Sequence, residues 1–241
     1  MISIIPVHGL PEIRKDDDLA ALVVERAALE NDDVLVIAQK AVSKVEGQVV
    51  ALAGVEPSEQ ARELAGDEAD PRRIQVILDE ATELVRVRPP LLIARTRHGY
   101  VCGSAGVDAS NAPEPETVVL LPVDPDASAA RLREALRERT RAEVGVIVTD
   151  SFGRPWRAAT TDVAIGAAGV EVVRDLMGER DPNGYELHAT RIAVADEIAG
   201  AAQLVFGKLD RVPVSVVRGL DVRGDGRGAE IVIPPETDLF R

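Results

Sequence analysis

The run VIVTDSFGRPWR, residues 146–157, begins as a buried strand and changes character within one residue. Val-Ile-Val-Thr is β-branched throughout, the composition of a strand packed inside a sheet. Asp150, Ser151, Phe152, Gly153, Arg154, Pro155, Trp156 and Arg157 follow directly. A buried strand explains the first half and nothing in the second. The chain has a single tryptophan and sets it here, between two arginines.

Other segments supply a sheet for this strand. DVLVIAQ (33–39), LLIART (91–96), TVVLLPV (117–123), VGVIVTD (144–150), VPVSVV (212–217) and AEIVI (229–233) read as strands. Residues 16–30 read as an amphipathic helix, with Leu19, Leu22, Val23, Arg26 and Ala27 at helical spacing. Segments 57–65 and 71–86 read as helices opened by proline. A charged-faced helix is expected over 126–143, and the most apolar one over 190–207. Strands and helices alternate without a βαβ rhythm, so the expected class is α+β with mixed and antiparallel sheets.

Composition excludes several classes. With 46% hydrophobic and 29% charged residues, the chain is expected to be globular. No apolar run reaches the ~20 residues of a membrane span, and no basic segment precedes an apolar one at the N-terminus. A lone cysteine, Cys102, excludes an internal disulfide and fits a reducing compartment, so a cytoplasmic location is expected. A net charge of −13 and only six aromatic residues (one Trp, two Tyr, three Phe) argue against nucleic acid as a partner. Among 28 basic residues only Lys15, Lys40, Lys44 and Lys208 are lysines. A chain that otherwise uses arginine for positive charge marks those lysines as places for a compact ammonium.

Two apparent phosphate motifs fail. GAAQLVFGKL (200–209) separates its glycines by six residues and has no Ser or Thr after the lysine. GDGRG (224–228) leads toward a predicted strand rather than a helix. Four candidates for chemistry remain. Asp150-Ser151 offers hard oxygen donors for Mg2+ or Mn2+, or a cap for the turn that follows. GSAGVDASN (103–111) offers Asp108 and Asn111 on a small-residue loop, or a plain surface turn. Lys40 and Lys44 share a face if their segment is helical, as phosphate ligands or as a solvated surface. Asp196 and Gln203, seven apart on an apolar helix, bond within a core or face a site. The three histidines lack metal-ligand spacing.

LPEI (10–13), QKAVSKVEG (39–47), CGSAGVDASN (102–111), TDSFGRPWR (149–157), VAIGAAGV (163–170) and ADEIAGAAQLVFGK (195–208) occur in the order found in coenzyme F420-0:L-glutamate ligases, which this chain resembles from residue 10 onward. The resemblance implies GTP-dependent addition of L-glutamate to the lactyl carboxylate of F420-0, then of a second, γ-linked glutamate, through an acyl phosphate. It also implies a two-lobed α+β fold and an intertwined homodimer using two Mg2+ or Mn2+ ions per subunit, with K+ as a further candidate ion. One ligase domain is expected over 1–241, its lobe boundary left open, without the nitroreductase-like domain that follows in longer relatives.

Carried over by position, Asp108 and Asp150 hold one divalent ion, and Ser151 and Gln203 the other. Leu10, Pro11, Glu12, Ile13, Gln39, Lys40, Lys44 and Asn111 line the GTP. So does the stretch Ala201, Ala202, Gln203, Leu204, Val205, Phe206, Gly207 and Lys208. Arg154 and Arg157 join Asp150 as catalytic candidates, as planar forks for a phosphate or for the carboxylates of glutamate. Trp156 is expected to form a wall rather than a stacking surface, and Asp162 to stand outside the chemistry and tolerate Asn. Ser151 stands where relatives carry Thr, and Gln203 is a neutral ligand. The rival readings are an F420- or flavin-linked oxidoreductase and a non-catalytic nucleotide-binding subunit.

Overall fold

A computed structural model describes residues 1–239. In chain order its elements are β1 (Ser3–Pro6), α1 (Leu19–Val24), β2 (Val34–Ala38), α2 (Gln39–Val45), β3 (Val49–Ala51), α3 (Glu59–Ala65), α4 (Pro71–Glu80), β4 (Ala81–Arg88), β5 (Leu91–Thr96), β6 (Val101–Gly103), β7 (Thr117–Val119), α5 (Pro125–Thr140), β8 (Gly145–Arg154), β9 (Arg157–Ala168), β10 (Arg174–Asp175), β11 (Arg191–Ile192), α6 (Val194–Phe206) and β12 (Val214–Arg218). The class is α+β. A mixed five-stranded sheet has the order β1-β12-β2-β8-β9, with β2 and β8 parallel and every other pair antiparallel.

The uninterrupted apolar character of β2 and β8 follows from burial on both faces. Leu35, Ile37, Val146 and Val148 enter one core with Leu19 and Val23 of α1 and Leu132 and Leu136 of α5. Val34, Val36 and Ile147 enter the other, against Ala195, Ile198, Ala199 and Ala202 of α6. A third core, from Leu52 to Leu120, joins α3 and α4 to the antiparallel sheet β4-β5-β6. Residues between α2 and α5 thus carry a hydrophobic core of their own.

Several expectations are corrected. The helix expected over 71–86 stops at Glu80, where β4 begins and pairs with β5 across two register shifts. Thr82, Val85 and Val87 are β-branched, and here strand pairing outweighs the helical spacing of the preceding turns. The helix expected over 16–30 is confined to Leu19–Val24, with the Asp18 carboxylate accepting from the Ala21 N–H at 2.9 Å as its cap. Helix α3 opens on a Ser58 cap rather than on Pro57. Residues 190–193 precede α6 in extended and irregular form. The strand expected at 229–233 is instead a 3-10 turn over Gly228–Ile231. Finally, β8 does not end at Asp150. It continues to Arg154, turns at Pro155 and Trp156, and returns as the unanticipated β9.

GDGRG, no phosphate loop, has a packing role. A Cβ on Gly224 would lie 2.8 Å from the Glu171 nitrogen, on Gly226 2.7 Å from the Val172 nitrogen, and on Gly228 2.7 Å from the Gly166 nitrogen. Alternate residues of an extended chain face one side, and here that side lies against backbone. The buried Asp126, at the start of α5, ties the junction together. Its carboxylate accepts from the N–H of Ala167 at 2.8 Å and of Gly228 at 2.7 Å. Asp126→Ala orphans both buried donors, so it should destabilise the fold by about 3 kcal/mol. Urea unfolding should report this as a lower midpoint at unchanged slope, and Asp126→Asn, which keeps an acceptor, should lose less.

Candidate nucleotide and cation site

The site begins where β2 runs into α2. Ala38 is extended and Gln39 is already helical, so the side chains of α2 leave the end of the central sheet directly. Gln39 is 1% exposed, and its Oε1 accepts from Ser43 Oγ at 2.8 Å. Its Nε2 is buried without a hydrogen-bond partner. Lys40 and Lys44, one helical turn apart, share a face as the spacing predicted. Lys40 Nζ donates to Asp108 Oδ2 at 2.5 Å and to Ser110 Oγ at 2.7 Å. Lys44 Nζ donates to Glu12 Oε1 at 2.5 Å.

The opposite wall comes from β8, β9 and α6. β8 has β2 as its second neighbour only through Thr149, so Asp150 stands where the sheet narrows to two strands. Ser151 is paired in register with Asp162, and its Oγ donates to Asp162 Oδ1 at 2.6 Å. Gln203 closes the group: its Oε1 accepts from the Asp162 backbone N–H at 3.0 Å, and its Nε2 donates to Ser151 Oγ at 3.4 Å. Asp196, seven residues earlier on α6, accepts from the Ala164 N–H at 2.8 Å. The polar pair on the apolar helix therefore fastens α6 to alternate residues of β9.

Between these walls lies a cavity of about 710 Å³, the size of a small-molecule site. Leu10, Pro11, Glu12, Ile13, Gln39, Lys40, Lys44, Asn111, Asp150, Ser151, Gln203, Phe206, Gly207 and Lys208 line it. Asp108 borders it through its bond to Lys40. Ala201, Ala202, Leu204 and Val205 are not in its lining; Ala202 is buried in the core and Leu204 faces solvent. Arg154 and Arg157 pair with each other at the hairpin tip, also outside the lining. Trp156 forms no wall of this cavity and is 84% exposed. Asp162, expected to stand apart, is 5% exposed and part of the wall. Sequence reasoning also missed the return loop Leu209, Arg211, Val212 and Pro213, for which the left-handed stop of α6 at Gly207 was the available signal. Cys102 is buried, which pushes its thiol up to about 12 and leaves it unreactive.

The donors are hard oxygens, the type that Mg2+ and Mn2+ select. Among the described residues no three His, Cys, Asp or Glu side chains form a metal cage by themselves. The set therefore suits a cation that shares its shell with phosphate oxygens and water, which is the usual habit of Mg2+. Asp108 and Asp150 would hold one such ion, Ser151 and Gln203 a second. Burial raises the Asp150 carboxyl to about 7, with the charges of Asp162 and Asp108 adding to the effect and Lys40 opposing it. Burial alone would also raise Asp108, but the bonds from Lys40 and Ser110 outweigh it and hold that carboxyl below its usual range.

The Asp150 shift has a sign that can be tested. Its folded-state pKa lies above the unfolded value, so its contribution to stability is complete below the unfolded pKa, near 3.8, and is lost as pH rises toward 7. Asp150→Asn removes that loss. In the presence of a chelator the variant should unfold at a higher temperature than the wild type at about pH 8, with the two converging toward about pH 4. Thermal unfolding followed by circular dichroism across this range checks it.

The family model for F420-0:Gamma-glutamyl ligase matches residues 9–219. The Coenzyme F420:L-glutamate ligase of Methanopyrus kandleri is 46% identical over the whole chain and 98% of its own length. Proteins of the same name from Methanothermobacter thermautotrophicus and Archaeoglobus fulgidus are 40% and 42% identical, again over the whole chain and 99% and 96% of their lengths. The chain belongs to the F420-0:gamma-glutamyl ligase family.

Proposed function

We propose that this chain is a GTP-dependent ligase that joins L-glutamate to the lactyl carboxylate of F420-0 and then adds a γ-linked second glutamate. The observation that carries the reading is the opposition of charges across one cavity. Lys40 and Lys44 stand on the α2 wall, and Asp150, Ser151, Asp162 and Gln203 on the other. A triphosphate would lie between two such walls, with ammonium groups on one side, most of the cation ligands on the other, and Asp108 beside Lys40. The family and the named relatives support the choice of acceptor and amino acid.

Amide formation needs the carboxylate oxygen turned into part of a leaving group. A carboxylate oxygen attacks the γ-phosphorus of GTP, GDP departs, and the acyl phosphate forms. The glutamate nitrogen then attacks the acyl carbon, phosphate leaves with the original carboxylate oxygen, and the nitrogen gives up a proton. Divalent cations supply neutralisation of the charge that crowds the phosphates. Lys40 and Lys44 exchange their carboxylate partners for phosphate oxygens. Gln39 brings its unpaired Nε2 donor, and Asn111 with the loop after Gly207 provides the base-reading edge. Asp150 and Asp108 retain the charge that fixes the first cation.

We also propose a homodimer. From Asp150 to the tip the β8–β9 hairpin is a two-stranded ribbon, and residues 155–160 are exposed. Such ribbons are marginally stable alone, and a second copy over the ribbon would cover Trp156 and bring Arg154 and Arg157 to a site.

Mass spectrometry of F420-0 incubated with enzyme, glutamate, Mn2+ and either GTP or ATP tests the activity. A mass increase of one and then two glutamyl residues with GTP, at a faster initial rate than with ATP, is expected. An unchanged F420-0 mass with both nucleotides contradicts the reading. Asp150→Asn should lower turnover by roughly a hundredfold or more, with partial recovery at high Mn2+.

A further inference from the structure

The second cation subsite, as the residues stand, has no charge of its own. Ser151 offers a hydroxyl and Gln203 an amide, both neutral, whereas hard divalent ions favour anionic oxygen. The nearest anionic group bonded to these two residues is Asp162. It lies on β9 directly across from Ser151, is 5% exposed and lines the cavity. We propose that Asp162 is a positioning residue that holds Ser151 in the cation-binding orientation and supplies the negative charge of the second subsite. This inference rests on the two-cation reading of the cavity.

The geometry specifies how it would act. A serine hydroxyl has one proton and two lone pairs. Ser151 commits its proton to Asp162 Oδ1 at 2.6 Å and accepts from Gln203 Nε2 at 3.4 Å, which leaves its remaining lone pair as the part a cation can meet. Donation to a carboxylate also makes the oxygen a better ligand, as with outer carboxylates behind metal-bound histidines. Gln203 is held by the same residue from a different atom. Its Oε1 accepts from the Asp162 backbone N–H at 3.0 Å and keeps a second lone pair. One residue of the edge strand therefore orients both neutral ligands, one through its side chain and the other through its main chain.

A purely structural aspartate predicts something different. The backbone bond to Gln203 survives any side-chain replacement, and the bond from Ser151 survives in Asp162→Asn, whose amide oxygen still accepts. An architectural role therefore leaves Asp162→Asn unaffected, whereas the charge role does not.

Mn2+ binding to the full chain, saturated with a non-hydrolysable GTP analogue and followed by electron paramagnetic resonance of the free ion, separates the two. Wild type should bind two Mn2+ per subunit. Asp162→Asn should bind the first with unchanged affinity and the second at least about tenfold more weakly. Ser151→Ala should show the same selective loss, and the double variant should be no worse than the weaker single one. Retained first-site affinity reports an intact fold, and should Asp162→Asn fail to fold, Asp162→Ser, which also removes the charge, decides. Two unchanged equivalents in the Asp162 variant overturn the proposal while leaving the two-cation reading in place, whereas two in Ser151→Ala overturn both. A single equivalent in the wild type overturns both.

Discussion

The outer edge of β9 is the constraint on which the rest of the site depends. An edge strand presents N–H groups with no neighbouring strand to accept them. Here side chains do so: Gln203 for Asp162, Asp196 for Ala164 and Asp126 for Ala167. The first two draw α6 along the strand and the third fixes the start of α5. Closing the edge with side chains rather than with a sixth strand keeps Asp162 and Ser151 beside the cavity. A paired strand at that position would have covered them.

The cavity is built at a cost to stability that its chemistry explains. Asp150 is held where its charge is disfavoured by burial and by neighbouring carboxylates. Lys40 on Asp108 and Lys44 on Glu12 place ammonium groups beside acids. In the ligand-free chain each lysine satisfies an acid, and in the proposed complex each is released to phosphate while a cation takes the place of Lys40 at Asp108. Sites that bind strong opposite charges commonly carry such tension in their empty form.

Much of this was legible in the sequence where a residue's role is local. The β-branched runs of β2 and β8 declared burial on both faces, and the four-residue spacing of Lys40 and Lys44 declared a shared helical face. Scarcity of lysine was informative too, since Lys40, Lys44 and Lys208 all line the cavity. What escaped depends on partners distant in the chain. β9, rich in alanine and threonine, has too little apolar alternation to announce a strand and is defined by its pairing with β8. AEIVI has strand composition, but nothing pairs with it among the described residues. Asp162 could not be placed until Ser151 was seen opposite it. Alternate glycines in GDGRG did carry a readable signal, a period of two with no side chains, which denotes backbone pressed on backbone.

Arg154, Trp156 and Arg157 remain apart from the cavity of a single chain, so the central claim concerns what the cavity does to the carboxylate. The most direct measurement supplies F420-0 with heavy oxygen in both lactyl carboxylate oxygens and follows one turnover with GTP and glutamate. Transfer of one heavy oxygen to inorganic phosphate for each amide formed is the predicted result. Amide formation with unlabelled phosphate would contradict activation of the carboxylate as an acyl phosphate, and with it the division of labour between the two facing walls.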